Sequence, residues 1–82
     1  MERYKQMKNI TRHTGKLRMI SRMKNSICGN PQYLLSCDGY TFRTKVNDMI
    51  AYKVSKYFDR DVVVTIGTHR NCLTLNTVGF DV

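Results

Sequence analysis

The sequence predicts an α+β fold. A basic N-terminal helix or helix pair over residues 1–28 precedes a ββαββ core over residues 30–82, all in one two-layer antiparallel-sheet domain. Three observations predict it. Apolar residues recur every three to four positions through the first 28 residues. The period then falls to two around Asp38-Gly39, and again over residues 61–78. Finally, 82 residues at 41% hydrophobic and 24% charged suit one globular domain with a small core.

The elements follow in order. On a helical wheel Tyr4, Met7, Ile10 and Thr14 share one face, with Lys5, Lys8 and Arg12 opposite. From Leu17 the apolar stripe becomes Leu17, Ile20, Met23 and Ile27, turned by about half a turn from the first. Thr14 and Gly15 at the change predict a cap and a break, and Gly29 and Pro31 predict the end of the second helix. The segment "QYLLSCDGYTFRTK" predicts a hairpin about a two-residue Asp38-Gly39 turn. Its register sets Cys37 against Tyr40, Leu35 against Phe42 and Tyr33 against Thr44. Leu34, Ser36, Thr41 and Arg43 then occupy the other, mostly polar face. Val46, Met49, Ile50, Val54 and Tyr57 fall on one stripe and predict a helix over 45–58. A second hairpin turns near His69-Arg70-Asn71, with Ile66 opposite Leu73 and Val64 opposite Leu75.

Charge is the functional clue. Residues 1–28 carry eight cations against Glu2 alone, and residues 29–82 carry six against five acids. Nearly all of the net charge of +8 is therefore N-terminal, which points to an anionic partner. Helical spacing places Lys5, Lys8 and Arg12 on one side of the first helix, and Arg18 and Arg22 on one side of the next. With Lys16, Lys24 and Arg43 they form the predicted nucleic-acid-binding set, tracking phosphates and releasing counterions. The bland alternative is a solvated face, but such faces normally mix signs. Ile20 is read as lying on the buried stripe.

Other chemistries are poorly supported. The acids are scattered, and no carboxylate pair or Ser-His-Asp spacing accompanies His13 or His69, so no enzyme activity is expected. Cys28, Cys37 and Cys72 lack paired metal-ligand spacing, and three cysteines argue against a disulfide framework; no metal or cofactor is expected. No apolar run reaches membrane-spanning length and no signal peptide stands out, so a cytoplasmic location is expected. The reading that follows is a small non-enzymatic nucleic-acid-binding protein, RNA favoured over DNA. By size and composition it suits a phage or mobile-element regulator or inhibitor, antitoxin-like, and its small core suggests a homodimer. The alternative is a protein-binding inhibitor whose basic face docks on an acidic host or defence protein such as a nuclease or toxin.

Overall fold

The computed structural model describes residues 8–26, 29–45, 50–69 and 71–81. They are mostly β. The strands are β1 (Lys8–Lys16), β2 (Arg18–Met23), β3 (Gln32–Cys37), β4 (Tyr40–Arg43), β5 (Asp61–His69) and β6 (Cys72–Phe80). One short helical segment, α1 (Ile50–Lys53) running into a 3₁₀ turn (Val54–Tyr57), joins β4 to β5. All six strands belong to one mixed sheet in the order β1-β5-β6-β4-β3-β2.

Over residues 8–23 the predicted N-terminal helices are therefore replaced by strands, while Tyr4, Lys5, Met7 and Ile27 of the predicted stripes lie outside the described residues, and the fold is not the expected helix pair followed by hairpin, helix and hairpin. The described basic segment pairs with β5 through β1 and with β3 through β2. Its side chains alternate with period two. Thr11, His13 and Gly15 lie opposite Ile66, Val64 and Val62 on the inner face, and Arg12, Thr14 and Lys16 face outward. The physical reason is tertiary. An isolated helix of this length is marginal, whereas Ile10, Thr11, Thr14 and Ile20 are β-branched and favour strands once partners satisfy the backbone. Asn9, at φ 54°, takes up the irregularity where the register shifts between Lys8 and Thr11. Gly15 lies within the strand rather than ending a helix.

Topology shows how the sheet curls. β1 and β2 lie at opposite ends of the strand order, yet only Leu17 separates them in sequence. The sheet must roll up until its two ends meet along one bent ribbon. Leu17 is the pivot, with no solvent exposure. Its amide donates to the Arg60 carbonyl at 3.1 Å and its carbonyl accepts from the Asp59 amide at 2.6 Å. Counting that ribbon as one strand, the path runs ribbon, β3, β4, β6, β5 and back to the ribbon. β4 and β6 are parallel and every other pair antiparallel. This is the connectivity of the OB-fold barrel.

The first hairpin forms in the expected register, with Cys37 opposite Tyr40 and Leu35 opposite Phe42. Asp38 and Gly39 both have positive φ, 54° and 82°, as a type I′ turn requires. The second hairpin is shifted. Ile66 pairs with Leu75 rather than Leu73, and Val64 with Val78 rather than Leu75. His69 pairs with Cys72 across the turn, and a bulge lies between Thr65 and Ile66. The helix is described only from Ile50, so Val46 and Met49 lie outside the described residues. Ala51 and Val54 are buried, and Val54 joins Leu17, Leu35, Phe42, Val64 and Leu75 in the core. No helix among the described residues is long and apolar enough to cross a membrane.

Candidate nucleic-acid interface

The hairpin that brings β3 against β4, and the ribbon that brings β2 against β3, build one three-stranded outer surface. Leu35, Cys37 and Phe42 point into the core, so their neighbours Leu34, Ser36, Thr41 and Arg43 point outward. Two cross-strand rows result. Arg18, Ser36 and Thr41 form one, and Ser21, Leu34 and Arg43 form the other. At about 4.8 Å between strands, each row spans roughly 10 Å. β2, β3 and β4 together contain three arginines and no acid.

The predicted cations do not share one helical face. Lys5 lies outside the described residues, and Lys8 begins β1 without a described side chain. Arg12 and Lys16 project from β1 on the outer surface shared with β5 and β6, in register with Thr65 and Asp61. Arg18 and Arg43 project from the β2–β3–β4 surface. Lys24 is exposed just beyond β2. Arg18 and Arg22, four apart, would face one way on a helix. On β2 the register shifts between Met19 and Ser21, so Arg18 aligns with outward Ser36 while Arg22 aligns with Tyr33.

Arg22 consequently has structural work. Its guanidinium carbon lies 5.4 Å from the centroid of the Tyr33 ring. The group donates to the Met23 carbonyl, to the Gln32 carbonyl at 3.5 Å and to Asn25 Oδ1 at 2.6 Å. Arg18, by contrast, meets Asp59 among the described residues, at 3.9 Å with both side chains well exposed. Such a pair contributes little and leaves the guanidinium accessible.

The hairpin register sets Tyr40 against Cys37 on the face of Leu35 and Phe42, from which a buried ring is expected, and here the structure differs. Tyr40 begins β4 at the rim of the barrel and is 46% exposed. Its ring lies 4.3 Å, centroid to centroid, from His13, whose Nδ1 is 3.5 Å from Asp38 Oδ2 and whose Nε2 is 2.7 Å from Thr11 Oγ1. The period-two pattern of the hairpin gave Tyr40 its direction; only the closed barrel shows that this direction ends at a rim. Among the described residues no group of three potential ligands could hold a metal. Burial, and secondarily the Asp38 charge, push the Cys37 thiol up, which favours the protonated form of a small buried hydrophobe.

No family model, no curated protein and no solved structure matches the chain.

Proposed function

We propose that this protein binds nucleic acid, RNA in preference to DNA, by holding the phosphate backbone on the outer surface of β2–β3–β4. The observation that carries the reading is Arg18 and Arg43 on a surface whose three strands contain no acid. Arginine binds phosphate oxygens bidentately, and the intervening Ser21, Ser36 and Thr41 hydroxyls add neutral donors. The arrangement leaves the backbone, not base sequence, as the main contact. The OB-fold connectivity supports the reading by analogy, because the corresponding strands of such barrels commonly receive oligonucleotides. The basic surface is a three-stranded sheet face, which suits a single strand laid across it.

The test is an anisotropy titration of a 5′-labelled oligonucleotide of about twelve RNA residues between 50 and 200 mM salt. Each phosphate contact on a single strand contributes a slope of about −0.7 in log K against log salt. The Arg18→Ala/Arg43→Ala protein is expected to lose about 1.4 units of that slope. Arg12→Ala/Lys16→Ala, on the other surface, is expected to bind nearly like the parent. No binding at 50 mM salt, or an unchanged slope in the Arg18/Arg43 variant, overturns the reading.

A further inference from the structure

We infer that the exposed ring of Tyr40 receives one unpaired base of the bound strand, so that the preferred ligand is single-stranded. The inference rests on the nucleic-acid reading above and adds which part of the ligand is recognised beyond phosphate. Three features of Tyr40 carry it. Tyr40 is 46% exposed although its position in the hairpin aligns it with buried Cys37. It packs against the His13 imidazole at 4.3 Å and a 43° interplanar angle, and a ligand would stack on the part of the ring that this contact leaves exposed. That imidazole is itself fixed: its side chain is only 11% exposed, Thr11 Oγ1 holds Nε2 at 2.7 Å and Asp38 lies 3.5 Å from Nδ1.

An aromatic ring held this way loses little freedom when a planar ligand stacks on it. A free surface tyrosine would have to be ordered first. Position matters as much as rigidity. Tyr40 immediately precedes Thr41, which shares its cross-strand row with Ser36 and Arg18. The row lies one residue from the rim that Tyr40 occupies, so a strand laid along it with a phosphate near Arg18 would run beside that rim, within reach of a base turned over it. A base paired within a duplex cannot reach the ring without being unstacked, whereas every unpaired base offers a π-face. Stacking is tolerant of base identity, so the platform fits a surface that otherwise reads phosphates.

The experiment compares two labelled ligands of equal charge, octauridylate and an eight-unit abasic ribose-phosphate chain, on the parent, Tyr40→Leu and Tyr40→Phe. Stacking of one base predicts that the parent prefers octauridylate by about tenfold. Tyr40→Leu is expected to erase that preference while binding the abasic chain like the parent, and Tyr40→Phe to retain it. Thermal melts matching the parent confirm that both variants are folded. A folded Tyr40→Leu protein that keeps the preference overturns this inference, as does a parent that binds both ligands equally; the phosphate reading then stands alone. A parent that binds neither ligand overturns the phosphate reading and this inference with it.

Discussion

Leu17 and Ile20 stand three residues apart in the basic segment, and helical spacing would bury both on one stripe. Their surroundings are opposite. Leu17 has 0% exposure at the pivot of the bent ribbon, and Ile20 has 51% where the register of β2 shifts. Leu17→Ala removes a buried isobutyl group from the core cluster it shares with Leu35, Phe42, Val54, Val64 and Leu75. It is expected to lower stability by about 3 kcal/mol, a large fraction for a domain of this size. Ile20→Asp places a carboxylate in solvent beside exposed arginines, so it is expected to change stability by less than about 0.5 kcal/mol. Urea denaturation of the two variants measures both. The reverse order of effects would return residues 17–23 to a buried helical stripe and would refute the strand assignment.

At the scale of the element, β2 shows how one inserted residue redistributes function. Without the register shift, Arg18 and Arg22 would point the same way, two intervals apart on one face. The shift turns Arg22 onto Tyr33 and the chain leaving β2, where its bonds hold residues 23–25 against the start of β3. Arg18 is left with a solvent-exposed ion pair. The two arginines therefore separate in experiment. Arg22→Ala is expected to cost about 1 kcal/mol, from a cation–π contact and charged hydrogen bonds weakened by exposure. In a domain this small that lowers Tm by about 4–8 °C. Arg18→Ala is expected to leave Tm unchanged and to weaken nucleic-acid binding. Calorimetry alongside a binding titration checks the pair, and equal melting losses would remove the distinction.

For the whole molecule, curling brings the ends of the sheet together but, among the described residues, leaves β2 with an unpaired edge beyond Leu17. Exposed Met19 and Ile20 lie along it, flanked by Arg18, Arg22 and Lys24. Two copies meeting edge to edge would bring six cations into proximity, and the register shift at Met19–Ser21 interrupts a long ladder. We propose that any homodimer formed along this edge strengthens with ionic strength, because salt screens that repulsion within a Debye length of about 10 Å at 0.1 M. Nucleic-acid binding runs the other way and weakens with salt. Sedimentation at 50 and 500 mM salt reads the sign directly, and a dimer that dissociates on adding salt would exclude this edge as its seam.

Legibility followed the range of the interactions involved. The first hairpin was readable to the residue, because Asp38-Gly39 supplies its own positive φ values and the flanking period of two supplies the register. Arg43 was placed on the outer surface for the same local reason. The second hairpin was readable only in outline, since His69-Arg70-Asn71 carries weaker turn chemistry and a bulge shifts the register beyond it. Residues 8–23 were misread as helical because Met, Lys, Arg and Ile support either period in isolation. Their strand state depends on hydrogen bonds to residues 32–36 and 61–68, which no local pattern announces. By itself, then, the sequence determined the charge excess, the first hairpin and the identity of many core residues, all properties of composition and short-range geometry. Only the tertiary structure decided which cations share a surface and that Tyr40 stands exposed on His13, because both follow from pairing partners distant in sequence and from the closure of the barrel through Leu17.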